Sequence, residues 1–309
     1  MVKKILTYIA LIGGGPACST AAIQLLRSGI EVLVITEKIG GTIRNANLVE
    51  NLVGFPGGIS GEEYVKLMEK QLAQSEVPMV KEKVDSIRKA NSKFVITTEE
   101  SEILSDILIV GTGSSPSKLN IKGEKEAFDD KKLFYEIFNA KPHSNGKKII
   151  VIGSGDVAFD YSLNLSKNVS QITIIQRTDK SNSLPILQKR VQEEKKISVL
   201  GNQVPMKIEI RNEKIALVTK YEENIEEITA DMIIVAIGRE PNITFLSDEL
   251  IKEFDNPLDD SNLYFIGDVK KENFRQVSIA MGDGMNVAME IVKKLLFVDD
   301  YDGATRQVW

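Results

Sequence analysis

Two stretches of the chain share one order of apolar and polar positions. Residues 9–18, I-A-L-I-G-G-G-P-A-C, and residues 149–158, I-I-V-I-G-S-G-D-V-A, each pass from a short Ile/Val run into a glycine loop and a helical pattern, then into a second apolar run. This order predicts a strand-turn-helix-strand unit, present twice. Helices are expected over residues 17–28, with Gly29 as the stop, and over 61–75, 157–166 and 276–296. Alternating segments such as 93–98 and 215–221 predict antiparallel strands. A second repeated station, D-I-L-I-V-G-T-G-S-S-P at 106–116 and D-M-I-I-V-A-I-G-R-E-P at 231–241, closes each unit with a strand-Gly-Pro exit. Residues 115–148, rich in Lys, Asp and Asn with Pro142 and Gly146, are expected to form the crossing between domains. After Pro241 no third unit begins; L-Y-F-I-G-D at 263–268 adds a strand and then a long helix, which most simply completes the first domain.

The glycine loops carry the candidate chemistry. Gly13 and Gly15 in one copy, and Gly153 and Gly155 in the other, let the chain turn tightly and bring backbone N–H groups to a pyrophosphate at a helix N-terminus. The third fingerprint position needs only a small side chain, and Cys18 and Ala158 supply it. Glu37 and Arg177 close the second apolar runs at the same offset from Gly13 and Gly153. At this position a carboxylate suits two free ribose hydroxyls, and an arginine suits a 2′-phosphate. Two different dinucleotides are therefore expected. The fold class that follows is α/β: two doubly wound Rossmann-like (three-layer) nucleotide-binding domains, the second inserted in the first. Residues 1–115 and 246–309 make one domain, and 118–243 the other.

Composition narrows the picture. A chain of 309 residues with 42% hydrophobic residues suits two soluble domains. Its net charge of −5, with no Lys/Arg cluster free of nearby acids, argues against nucleic acid as a partner. No apolar run approaches the roughly eighteen residues that a membrane span needs. Lys3-Lys4, the apolar residues 5–12 and Cys18 imitate a secretory signal, but Gly13-Gly14-Gly15-Pro16 is a poor cleavage context and a good phosphate loop. One cysteine excludes an internal disulfide and fits a reducing cytoplasm. With His143 as the only histidine, a Cys/His metal site is not expected, nor is a histidine base.

Several motifs in order resemble the thioredoxin-reductase-like branch of the FAD/NAD(P) pyridine nucleotide-disulfide oxidoreductases: G-G-G-P-A, E-N-L-V-G-F-P-G-G at 50–58, G-T-G-S-S-P, G-S-G-D-V-A, A-I-G-R-E-P-N, and I-G-D followed by R-Q-V at 275–277. The resemblance implies FAD in the first unit, held by Gly13, Gly15, Pro16, Ala17, Glu37, Lys38, Asn51, Gly111, Thr112, Gly113, Gly267 and Asp268. Arg275, Gln276 and Val277 would begin a helix whose N-terminus points at the pyrimidine edge of the flavin. NADPH or NADH is implied in the second unit, at Gly153, Gly155, Asp156, Val157, Arg177 and Gly238. A homodimer is implied as well.

The departures from that family redirect the expected function. Thioredoxin reductases carry C-A-x-C shortly before the second glycine loop, and counting back from Gly153 puts those positions at Glu136 and Asn139. Without two sulfurs there, electrons cannot reach thioredoxin through an internal disulfide. Relatives selective for NADPH show H-R-R and a further Arg, whereas here Gln176-Arg177-Thr178 and Asn182 leave one arginine, with Lys180 nearby. Members of the branch without C-x-x-C include ferredoxin–NADP reductases. The expected activity is therefore electron transfer between NAD(P)H and an external carrier, ferredoxin or a flavodoxin-like protein. An NAD(P)H oxidase or small-disulfide reductase is the alternative enzyme, and a non-catalytic flavin-binding protein is the alternative outside catalysis. Cys18 is weighed as a redox thiol against simple packing, and Glu136 as a proton carrier against a solvated remnant. Trp309, with Tyr301, is weighed as a flavin cover against a frayed tail. The acidic run at 222–227 is expected to be a solvated hairpin.

Overall fold

The computed structural model describes residues 2–211, 213–256, 261–270 and 274–296. It separates into two compact units: Met1–Arg44, Glu50–Ser114 and Pro241–Trp309 form the first, and Asn45–Val49 with Ser115–Glu240 form the second.

In the first unit a seven-stranded sheet is centred on the strands Lys3–Ile12 and Ser101–Val110, which pair in parallel. Val32–Ile35 and Met79–Val80 extend it in parallel on one side. Residues 9–12 are apolar without interruption because both faces of this part of the sheet are covered. On the other side Lys93–Thr98 and Val84–Ala90 run antiparallel. Ser101–Val110 serves two neighbours in turn: residues 102–105 pair with Lys93–Thr98, and residues 108–110 pair in parallel with the returning tail strand Leu263–Phe265. One face of the sheet packs Ile12, Ile35, Phe94, Ile96 and Leu108 against Leu246 and Leu250 from that tail.

Local signals set the helix ends. Helix Pro16–Arg27 starts on a proline, which loses no hydrogen bond at that position. It stops where Gly29, at φ +74°, lets the Ile30 N–H fold back to the Leu25 carbonyl. Helix Gly61–Gln74 opens on a capping box, with the Glu63 N–H donating to Ser60 Oγ and the Ser60 N–H donating to the Glu63 carboxylate.

The second unit repeats the plan. Its five-stranded parallel sheet runs in the order Ile197–Leu200, Gln171–Ile175, Lys148–Ile152, Met232–Val235, Leu133–Phe134. Helix Asp156–Ser166 buries Ala158, Phe159, Tyr161 and Leu165 in the core of this unit. A three-stranded antiparallel sheet, Val204–Arg211, Lys214–Tyr221 and Asn224–Ala230, supplies Ile208, Ile215 and Leu217 to a second cluster. The acidic run forms the hairpin between the last two of these strands, where Glu227 pairs with Arg211 at 2.9 Å.

One expectation about organisation needs correction. Residues 115–148 are not a simple crossing: they contain helix Glu124–Asp129, the sheet strand Leu133–Phe134 and helix Ile137–Ala140. Their polar surface hides a buried anchor, Glu124, whose carboxylate accepts from the Leu119 and Asn120 N–H groups and from Tyr135 Oη, each at 2.7 Å. By compactness the first unit resumes at Pro241, and Asn45–Val49 groups with the second unit.

Helix Val277–Leu296 lies against helix Pro16–Arg27 so closely that a Cβ on Gly284 would stand 2.1 Å from the Ala17 carbonyl oxygen. A backbone oxygen cannot rotate away, so this clash outweighs the ~1 kcal/mol that alanine gains over glycine in a helix. We expect Gly284→Ala to destabilise the protein by about 1–3 kcal/mol. Gly282→Ala, where a Cβ meets nothing within 4 Å, should stabilise it slightly. Urea unfolding checks the pair, and equal shifts in midpoint would contradict the packing argument.

Candidate functional site

The two glycine loops are built alike. At Gly13, φ is +123° and a Cβ would lie 2.3 Å from the Gly111 carbonyl oxygen. At Gly153, φ is +152° and a Cβ would lie 2.2 Å from the Ala236 carbonyl oxygen. In each unit the loop therefore crosses over the end of the exit strand at a distance only glycine allows. Beyond the crossing, Gly15 and Gly155 are the N-caps of their helices and neither supplies a side-chain cap. A Cβ at either would meet nothing within 4 Å. Both helix starts thus offer N–H donors and the positive dipole end to open space, a cradle that fits a pyrophosphate.

Around the first loop, Pro16 and Ala17 open the helix, while Glu37 and Lys38 stand exposed, 3.7 Å apart, just after strand Val32–Ile35. Thr112 Oγ1 donates to the Asn242 carbonyl at 2.7 Å, and the Asn242 N–H donates to the Gly113 carbonyl at 3.0 Å. Asn51 Nδ2 donates to Gln276 Oε1 at 2.9 Å, which joins the loop after Val49 to the start of helix Val277–Leu296. Arg275 directly precedes these residues, and Asp268 lies in the 3-10 turn Gly267–Val269. Asp283 organises that turn: its carboxylate accepts from the Gly267 N–H at 3.0 Å and meets Lys270 Nζ at 3.4 Å. Sequence reasoning missed Asp283, because an acid in mid-helix carries no local mark of the loop it serves. The acceptor and donor set of this unit, Glu37 with the open helix start and Asn51–Gln276, fits FAD.

Cys18 is wholly buried, and its thiol donates to the Ile12 carbonyl at 3.5 Å. A Cβ on Gly111 would be 2.4 Å from its Sγ. Burial pushes the thiol up to about 12, so the nucleophilic thiolate is not formed near neutral pH. Of the two readings weighed for Cys18, its burial and its contact with Gly111 support packing.

Around the second loop, Asp156 opens the helix with its carboxylate engaged by the Leu184 N–H at 2.7 Å. The Asn182 N–H donates to the Ser154 carbonyl at 2.8 Å, so residues 182–184 are stitched to the loop. Val157 is exposed on the first turn, and Gly238, at φ +136°, accepts from the Ser117 N–H at 3.0 Å. Arg177 is exposed at the end of strand Gln171–Ile175, beside a cavity of about 700 Å³ lined in part by Gln176, Asp179, Lys180, Ser181 and Tyr221. Gln176 is buried and turned inward, exchanging hydrogen bonds with Ser181 at 2.8 and 3.2 Å. The set fits a nicotinamide dinucleotide, with Arg177 and Lys180 as the cations able to meet a 2′-phosphate.

Glu136 is neither a solvated remnant nor a free acid. It is part-buried, pairs with Arg239 Nη1 at 2.8 Å, and accepts a hydrogen bond from Asn45 Nδ2. Asn45 Oδ1 in turn accepts from the Phe138 N–H at 3.1 Å. Nearby, the Asp160 carboxylate accepts from the Asn47 N–H at 3.0 Å. Desolvation, aided by Asp156 and opposed by Asn47 and Arg190, raises Asp160 to about 6. A carboxyl raised in the folded state stabilises it at low pH, and that contribution is lost as the pH rises through about 6. His143 is exposed and stacks on Phe134 at 5.5 Å between ring centres. Among the described residues no group of His, Cys, Asp and Glu is placed to hold a metal, and no helix is long and apolar enough to cross a membrane. Trp309 and Tyr301 lie outside the described residues.

Comparison with known proteins bears on the whole chain. Residues 7–284 match the model of the pyridine nucleotide-disulphide oxidoreductase family. Thioredoxin reductase of Neurospora crassa is 28% identical over 93% of this chain and 93% of its own. A crystal structure of Lactococcus lactis thioredoxin reductase in the FR conformation superposes with a TM-score of 0.83 at 28% identity, covering 94% of this chain and 100% of that one. Bacillithiol disulfide reductase from Bacillus cereus shares the fold, with a TM-score of 0.75 at 18% identity over 94% of this chain and 99% of that one. Thioredoxin-reductase-like members of the family use FAD and NADPH. The duplicated loop architecture and the match over almost the full length agree: this chain belongs to the pyridine nucleotide-disulphide oxidoreductase family of enzymes and is thioredoxin-reductase-like.

Proposed function

We propose that the protein is an FAD-dependent oxidoreductase that moves electrons between NAD(P)H and an external carrier, ferredoxin or a flavodoxin-like protein, without an internal redox disulfide. One observation carries this reading: the only cysteine in the chain, Cys18, is sealed in the core, and the positions that relatives give to C-x-x-C hold Glu136 and Asn139. A route through a disulfide of this chain is thereby closed. The first unit, with the tail, is assigned to FAD, and the second unit to the nicotinamide nucleotide. A homodimer belongs to the same proposal.

Bound flavin supplies a centre that accepts a hydride in one step and gives up single electrons in two, which is the exchange that joins a nicotinamide to a one-electron carrier. The chain's own residues do the rest. The open N–H groups after Gly15 hold the FAD pyrophosphate, and Glu37 accepts from ribose hydroxyls. Gln276, fixed by Asn51, and the first turn of helix Val277–Leu296 set a positive helix end beside the flavin, which favours negative charge there on reduction. In the second unit the N–H groups after Gly155 hold the nicotinamide dinucleotide, and Arg177 marks its adenosine end. With Gln176 occupied by Ser181, the preference for a 2′-phosphate rests on Arg177 and Lys180.

Three outcomes are expected. Under anaerobic conditions the flavin absorbance of the purified holo-protein should bleach with NADPH and, separately, with reduced ferredoxin. Bleaching by nucleotide alone, followed by rapid turnover with oxygen or a small disulfide, would favour the oxidase or disulfide-reductase alternative, and no bleaching by any donor would favour a non-catalytic flavoprotein. Arg177→Ala should lower kcat/KM for NADPH by about 1–3 kcal/mol in ΔΔG‡ and leave NADH nearly unaffected; an equal loss for both nucleotides would remove the 2′-phosphate assignment. Finally, iodoacetamide should alkylate Cys18 only after denaturation at pH 7.5, and labelling of the native protein within minutes would contradict its burial.

A further inference from the structure

The two units support the charged ends of their second strands differently. In the first unit residues 36–38 lean on the glycine loop itself: a Cβ on Gly14 would stand 2.4 Å from the Lys38 carbonyl oxygen and 2.7 Å from Thr36 Oγ1. In the second unit the same fingerprint position is Ser154, which carries a side chain, and residues 176–181 rest elsewhere. A Cβ on Gly201 would stand 2.9 Å from the Asp179 Cα and 3.1 Å from the Thr178 carbonyl oxygen, so turn 200–203 presses on this loop backbone to backbone. Gly201 does not have the left-handed φ that favours glycine, so the contact alone excludes a side chain there. The Gln176 N–H donates to the Leu200 carbonyl, and the Gln203 N–H donates to the Gln176 carbonyl, each at 2.9 Å. Arg177 is therefore held between a residue bonded twice to the turn and a residue that touches it. The loop is also closed on itself, by Gln176 with Ser181 and by Thr178 Oγ1 donating to the Lys180 carbonyl at 3.0 Å. A push at residues 178–179 thus moves Arg177 and Lys180 together.

We propose that Gly201 is a positioning residue for nucleotide choice: its missing side chain lets turn 200–203 set where Arg177 and Lys180 stand relative to the 2′-phosphate of a nicotinamide dinucleotide. This rests on the assignment of those two cations to the 2′-phosphate in the proposed function. Charge-assisted hydrogen bonds weaken when the donor is displaced by a fraction of an ångström or turned from its line. The pyrophosphate cradle is built on a different contact, Gly153 over the Ala236 carbonyl. A shifted loop therefore costs NADPH its phosphate contacts and leaves NADH its cradle.

Equilibrium binding of NADP⁺ and NAD⁺ to the flavin-loaded protein tests this without turnover. Gly201→Ala should weaken NADP⁺ by about fivefold or more and NAD⁺ by less than about twofold, because the added methyl displaces residues 178–179. In a background that lacks both cations, Arg177→Ala with Lys180→Ala, the same substitution should change NADP⁺ binding by less than about twofold, since nothing is left for it to misplace. A role confined to stability would weaken both nucleotides alike and would persist in that background. Should Gly201→Ala fail to fold, Ser181→Ala is the second variant: it releases the loop from Gln176 without touching the turn, and it should weaken NADP⁺ selectively in the same way. Equal losses for the two nucleotides, unchanged binding of both, or a selective loss that survives removal of the cations would each overturn the proposal. Selective loss of NADP⁺ in Arg177→Ala alongside unchanged binding in Gly201→Ala would overturn it alone. Equal loss of both nucleotides in Arg177→Ala would instead overturn the 2′-phosphate assignment, and this proposal with it.

Discussion

In each unit the glycine loop and the exit strand cross backbone against backbone at a distance that only glycine allows. Gly13 passes over the Gly111 carbonyl, and Gly153 over the Ala236 carbonyl, at separations that leave no room for a Cβ. That contact joins the strand entering a unit to the strand leaving it, and it aims the next helix so that its N-terminus faces open space. A pyrophosphate cradle is the direct product, because unsatisfied N–H groups and the helix dipole converge on one spot. Glu37 and Arg177 lie at the ends of strands that pair with the entering strand, Val32–Ile35 in one unit and Gln171–Ile175 in the other.

The same tight geometry determines what the neighbouring side chains can be. Cys18 sits against Gly111, and Ala17 lies beneath both Gly267 and Gly284. Small residues here serve approach of backbone to backbone, and the tail helix Val277–Leu296 can reach the glycine loop only because Gly284 admits it. A cysteine in this setting is a compact apolar group with a weak donor. Burial pushes its thiol up from the ordinary value.

The second unit holds segment Asn45–Val49 through polar contacts. Glu136 and Arg239 offer charge complementarity with both carboxylate oxygens engaged, and Asn45 and Asp160 extend the fastening to a neighbouring segment. The half-buried Asp160 makes this a region where solvation and hydrogen bonding oppose each other, since desolvation raises its carboxyl and the Asn47 N–H lowers it.

Much of the architecture was legible in the chain alone. The duplicated apolar-run-plus-glycine pattern identified both units, since strand and helix periods and the glycine requirement at Gly13 and Gly153 are local properties. Helix Gly61–Gln74 could be placed within a residue from its pattern, and its Ser60–Glu63 cap is likewise local. Residues 115–148 misled because short elements there, such as Leu133–Phe134, are only two residues long and lean on the sheet rather than on their own periodicity. Asp283, Glu124, Gln176 and Glu136 were invisible as partners, for each acts on a group brought near by folding: the Gly267 turn, the 119–120 backbone, Ser181, and Arg239 with Asn45. The sequence by itself determined the two nucleotide units and the charges at their strand ends, because these follow from backbone sterics and side-chain type. Tertiary structure alone decided which polar groups are paired and which thiol is sealed, because desolvation and hydrogen bonding depend on neighbours far away in the chain.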